Sequence, residues 1–154
     1  MVQLESYALK PQLEQLAQYF QEEAKSKSLQ LNMDIEDVDV LGDARKIEQV
    51  MDNLISNALK YTQEGQITVR AKTKGEKVEV SVSDTGIGID QLHIPHLFER
   101  FYRTDKARSR DLGGTGLGLS VVKSILLAHK TDLEVESEIG KGSIFRFELQ
   151  KAQS

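Results

Sequence analysis

Leu13, Leu16, Ala17, Phe20 and Ala24 recur at steps of three and four after Pro11, the period of an amphipathic helix with proline in its first turn. The period then drops to two. Leu29-Gln30-Leu31-Asn32-Met33 alternates and predicts a strand, and Val38-Asp39-Val40-Leu41 predicts a second, paired with the first across an acidic turn at Glu36-Asp37. From Gly42-Asp43 the helical period returns. Ile47, Val50, Met51, Leu54, Ile55 and Ala58 fall within one arc at ~100° per residue, with Asp43 as N-cap and an end near Tyr61, ahead of Gly65. Ile67, Val69, Ala71 and Thr73, then Val78, Val80 and Val82, alternate on either side of Lys74-Gly75-Glu76 and predict a hairpin with one buried face. No period holds over 91–112, which reads as a short helix and a lid carrying Lys106, Arg108 and Arg110. A glycine-dense turn, Gly113-Gly114-Thr115-Gly116-Leu117-Gly118-Leu119-Ser120, then runs into an apolar helical segment over 121–128. A last hairpin joins Leu133-Glu134-Val135-Glu136-Ser137 to Ile144-Phe145-Arg146-Phe147-Glu148-Leu149 through Gly140-Lys141-Gly142-Ser143.

Composition narrows the class. A chain of 154 residues, 39% hydrophobic and 29% charged, suits one globular domain. A net charge of −4 offers no general attraction for nucleic acid or an anionic membrane, so ligands must be held by local sites. The absence of cysteine excludes disulfides and thiolate metal sites, and no signal peptide or long apolar run is present. Both imply a cytoplasmic setting for a chain that reads as one domain of a longer protein.

Three clusters carry candidate chemistry. Glycines at 113, 114, 116 and 118 ahead of a helix let backbone N–H groups and a positive dipole end approach a polyphosphate, although such a turn serves equally as a plain helix start. Its spacing is neither a P-loop, for want of Gly-Lys-Ser/Thr, nor a dinucleotide loop, since Leu119 replaces the last glycine. Asn53 and Asn57 stack their amides on one helix side with Lys60 nearby. Amide oxygens are hard ligands suited to Mg²⁺ bound with phosphates, and asparagines on a helix edge are also commonly just solvated. Asp84, ending a strand before Gly86 and Gly88, can accept an exocyclic amino group or simply start an Asx turn.

Taken in series, these clusters resemble the boxes of bacterial sensor histidine kinases: 53–61 the N box, 84–88 the G1 box, 98–103 the F box and 114–119 the G2 box. The resemblance covers roughly residues 29–149. It implies the Bergerat fold shared with gyrase, Hsp90 and MutL ATPases: an α/β (α+β) two-layer sandwich, its mixed, mostly antiparallel sheet covered on one face by about three helices, with a mobile ATP lid. It further implies a remnant of a preceding linker or helix at 1–10, the catalytic domain at 11–150 and a tail at 151–154. Carried across, Asn57 is the Mg²⁺ ligand with Asn53 beside it at the phosphates, Lys60 and Arg103 reach the phosphate tail, and Tyr61 borders the nucleotide. Asp84 accepts the adenine amino group, helped through water by Ser143, with Gly86, Gly88 and Ile89 along the adenine edge. Gly114, Thr115, Gly116, Leu117, Gly118 and Leu119 form the loop that closes over ATP. The implied partners are ATP, the phosphoacceptor histidine domain of a homodimeric, membrane-anchored parent and, indirectly, a response regulator, with this domain itself monomeric. One departure is His129-Lys130-Thr131, where relatives often have His-Gly-Gly, which implies a looser turn.

Two other functions compete. A hydrolase of the gyrase or Hsp90 kind places a glutamate base where Asn53 stands, and an amide cannot act as a general base. A degenerate docking module would not need Asn57, Asp84 and the glycine loops together. His93, His96 and His129 are the only histidines, and none is followed by an acidic residue on a long helix as an acceptor histidine is.

Overall fold

In the computed structural model, which describes residues 2–62, 64–85, 115–138 and 141–152, period-two burial builds the sheet. Ile67, Val69 and Ala71 of β4 (Gly65–Lys74) and Val78, Val80 and Val82 of β5 (Lys77–Asp84) are buried. The antiparallel register Val69 to Val82 and Ala71 to Val80 puts them on one face. β7 (Gly142–Lys151) extends that face, with Phe147 opposite Val80 and Leu149 opposite Val78. On its far side β7 is shared: β6 (Glu134–Glu138) pairs with its first half and β3 (Asp39–Gly42) with its end. β1 (Glu5–Ala8) lies outside β3, and β2 (Leu29–Ile35) runs parallel along the other side of β4. The result is a mixed, mostly antiparallel sheet of seven strands among the described residues.

Two sequence expectations need correction here. β2 and β3 do not pair but lie on opposite sides of the central strands. Glu36-Asp37 lacks the glycine or asparagine of a tight hairpin. Instead the Glu36 N–H donates to Ala71 O and its carboxylate accepts from the Thr73 N–H, so the chain continues along β4 before crossing over. The second concerns the turn at Lys130, which is fully closed. The Thr131 N–H bonds Leu126 O and the Lys130 N–H bonds Leu127 O, a Schellman pair, with Lys130 taking the left-handed φ of 62° that glycine ordinarily supplies.

Among the described residues three helices cover the apolar face. α1 (Leu9–Ser26) buries Leu13, Ala17, Phe20 and Ala24, and α2 (Ala44–Tyr61) buries Ile47, Val50, Met51, Leu54, Ile55, Ala58 and Leu59. Each of the leucine, isoleucine, valine, methionine and phenylalanine side chains among them withdraws apolar area worth ~1.5–3 kcal/mol. α3 (Thr115–Ala128) adds Leu119, Val122, Ile125 and Leu126 against α2. The opposite sheet face is polar, with Asp34 bridging Arg70 and Lys72, and Arg146 paired with Glu134 and Glu136. None of the described helices is long and apolar enough to cross a membrane.

Candidate functional site

α2 is held at both ends. Asp43 caps its start by accepting from the Lys46 N–H at 3.3 Å and also takes the Gln3 N–H at 3.0 Å. The Gln3 bond first, then that from Lys46, holds the Asp43 carboxyl below the usual carboxylate range. Beside it, burial and then the Asp43 charge push the Tyr7 hydroxyl above its ordinary value; that hydroxyl donates to Gln12 Oε1 at 3.0 Å. At the other end Thr62 leaves the helix at φ −100° and ψ 116°, and Lys27 Nζ donates to Leu59 O, a cation where the helix dipole favours one.

On this fixed helix Asn53 and Asn57 are half-buried and Lys60 is exposed. Steps of four and seven from Asn53 leave all three on one side, next to the buried stripe. Where that side faces follows from α3. His129, just beyond its C-terminus, accepts the Asp43 N–H on Nε2 at 3.0 Å, so α3 runs antiparallel to α2. Fourteen residues of α3 extend ~21 Å against ~27 Å for the eighteen of α2, which brings Thr115 level with the last turns of α2. The helix starts earlier than the sequence pattern suggests. Gly116 and Gly118 form its first turn rather than a loop ahead of it, so their N–H groups belong to the unpaired helix start. Leu119 enters the hydrophobic core.

The end of β5 completes this end of the sandwich. Asp84 is half-buried on the face that carries Val80 and Val82, flanked in register by Ile67 on β4 and Ser143 on β7. Ser143 is buried, with its Oγ 2.7 Å from Ser137 Oγ, and Ser137 Oγ donates to Gly142 O at 3.1 Å. Two features missed by pattern reading hold Asp84 there. Thr85 accepts the Gln66 N–H on Oγ1 at 3.1 Å and donates its own N–H to Gln66 O at 3.2 Å, tying the strand end to the start of β4. Gly142, at φ 113°, packs so closely that a Cβ would stand 2.0 Å from Asp84 O. The sequence signal was a glycine in the 140–143 turn, which spoke for a turn and not for a close approach.

The structure therefore gathers Asn53, Asn57, Lys60, Asp84, Ser143 and the start of α3 at one end of the sheet. Tyr61 ends α2 there too. Gly86, Gly88, Ile89, Arg103, Gly114, His93 and His96 lie outside the described residues. Among the described residues no cluster of three His, Cys, Asp or Glu could hold a metal alone. An ion at this end would lean on the amide oxygens of Asn53 or Asn57 and on phosphates, the ligand set that Mg²⁺ accepts.

Residues 42–153 match the profile of the histidine kinase-, DNA gyrase B-, and HSP90-like ATPases. Curated relatives include the phosphate regulon sensor protein PhoR of Pseudomonas aeruginosa, 44% identical over 117 residues, which covers 75% of this chain and 26% of that protein. The sensor histidine kinase WalK of Bacillus subtilis is 46% identical over 121 residues, covering 77% of this chain and 20% of its own length. The chain thus spans about a quarter or less of these relatives. Among solved structures, the catalytic domain of histidine kinase ThkA superposes with a TM-score of 0.84 at 27% identity, covering 98% of this chain and 99% of that one. Full-length ShkA in complex with AMPPNP gives 0.87 at 27% identity, covering 100% and 33%.

Proposed function

Because the chain belongs to the histidine kinase-, DNA gyrase B- and HSP90-like ATPase family, we propose that it is the ATP-binding catalytic domain of a sensor histidine kinase. In this reading it aims the γ-phosphoryl group of Mg-ATP at a histidine on a separate phosphoacceptor domain of a homodimeric, membrane-anchored parent that serves a response regulator. The observation that carries it is the convergence of the Asn53–Asn57–Lys60 side of α2, the start of α3 and the Asp84–Ser143 step at one end of the sheet. Asp84 would accept the adenine amino group, and Ser143 stands beside it to hold a bridging water. Lys60 and the α3 N–H groups would meet the phosphates. Asn57, with Asn53, would hold Mg²⁺, which when bound neutralises phosphate charge. Phosphoryl transfer asks chiefly for positioning and charge compensation, which such residues supply without a base. An amide at position 53 supports transfer to a partner over hydrolysis, since water activation needs a basic group.

Calorimetric titration of the chain and of Asn57→Ala with ATP, with and without Mg²⁺, tests this. The parent should bind more tightly with Mg²⁺, and the variant should lose that difference. An equal magnesium effect in both would take Asn57 out of the site, and a parent that binds no ATP would end the reading.

A further inference from the structure

Ser137, Ser143 and Asp84 form one row across three neighbouring strands. Ser143 of β7 stands opposite Ser137 of β6 on one side and opposite Asp84 of β5 on the other. The row two residues away, Val135, Phe145 and Val82, belongs to the apolar layer under the helices. Side chains two apart on a strand share a face, so the polar row lies on that face too, at the end of the sheet where the candidate site is assembled. Both serines are buried.

The hydrogen bonds give this row a direction. A serine hydroxyl has one proton and two lone pairs. That of Ser137 donates to Gly142 O at 3.1 Å, and a carbonyl can only accept. In the 2.7 Å bond between Ser137 Oγ and Ser143 Oγ the donor is therefore Ser143. Its proton points toward β6, and what it presents on the Asp84 side is lone pairs. A water held by Ser143 there must donate to it, which leaves the other proton of that water for the base. The hydrogen-bonding edge of adenine carries an amino donor next to a ring-nitrogen acceptor. The Asp84 carboxylate suits the first and the water proton the second, whereas an oxopurine reverses both groups.

We propose that Ser137 is a positioning residue that sets base specificity: by taking the Ser143 proton it keeps that hydroxyl an acceptor on the Asp84 side and so favours adenine over an oxopurine. Ser137 acts through Ser143, which stands between it and Asp84. This rests on the nucleotide-binding reading above and adds to it a residue on β6.

The test titrates ATP and inosine triphosphate (ITP), whose base is an oxopurine, by calorimetry into the whole chain, Ser137→Ala, Ser143→Ala and the double variant. A thermal melt without nucleotide accompanies each. The parent should bind ATP more tightly than ITP. In Ser137→Ala the Ser143 proton is released to turn toward the pocket, and the preference for ATP should fall about three- to tenfold, the weight of one hydrogen bond. In the Ser143→Ala background the same substitution should leave the preference within about twofold, because its route is gone. Ser137→Thr keeps the hydroxyl and should stay within about twofold of the parent preference. Should Ser137→Ala not fold, Ser137→Cys, only a weak donor and acceptor, carries the same comparison. An unchanged preference in Ser137→Ala, as when both nucleotides weaken equally through a loosened hairpin, would overturn the proposal. So would an equal fall in Ser137→Thr or with Ser143 absent. A parent that binds ATP and ITP alike would overturn it while leaving nucleotide binding intact. A parent that binds neither would fell the functional reading itself and the proposal with it, so the parent titration tells the two failures apart.

Discussion

His129 Nε2 accepts a 3.0 Å hydrogen bond from the Asp43 backbone N–H, which fastens the end of α3 to the cap of α2 across 86 positions of sequence. Since a backbone N–H can only donate, Nε2 is the acceptor, and Nδ1, 2.9 Å from Ile125 O, carries the proton. This contact sets how far the start of α3 slides along α2. His129→Ala should leave a part-buried N–H unpaired and lower stability by about 1–2 kcal/mol in urea denaturation. An unchanged midpoint would show that packing of α3 alone sets its position.

Gly142→Ala should act on the site through backbone. The added Cβ has no room, 2.0 Å from Asp84 O and 2.8 Å from Thr85 Cα, and φ is 113°. The strand end carrying Asp84 must shift, at a cost of about 2 kcal/mol or more. Stability and ATP affinity should fall together, as read by denaturation and calorimetry. Parent-like values for both would mean that β5 and β7 part here without consequence.

Acid should weaken the cap of α2. The folded Asp43 carboxyl lies below its ordinary value, mainly through the Gln3 N–H, so its contribution is complete above the unfolded pKa and is lost as pH falls through the folded one. Asp43→Asn keeps an N-cap oxygen but not the charge. The stability gap between parent and variant should therefore be widest near neutrality and close as pH falls below the ordinary carboxylate value of about 4. Denaturation midpoints measured across that range check this, and a gap independent of pH would contradict it.

Much of this was legible in the chain because burial and period coincide. The α2 stripe, the β4–β5 and β6–β7 hairpins and the Asp43 cap follow directly from spacing, and so does the Asn53–Asn57 pair. What was not legible is partner choice. Alternation in Leu29–Met33 says that a strand has a buried face but not that it runs parallel to β4, and Glu5–Ala8 is too short to show a period. Gly116 and Gly118 signal a break in local terms, yet packing of Leu119 and Val122 draws them into α3. The His129 bond and the Gly142 approach depend on distant segments, which no local pattern encodes.

The central claim is that this chain presents the γ-phosphate of ATP to a histidine it does not itself carry. His129 has both ring nitrogens bonded and lies past the far end of α3, ~21 Å from Thr115, whereas in-line attack requires about 3–3.5 Å. The direct measurement is incubation with γ-labelled ATP and Mg²⁺, first with the chain alone and then with the separately expressed phosphoacceptor domain of the same parent protein. The account predicts acid-labile label on the acceptor domain and none on this chain; acid-labile label on the chain incubated alone would contradict it.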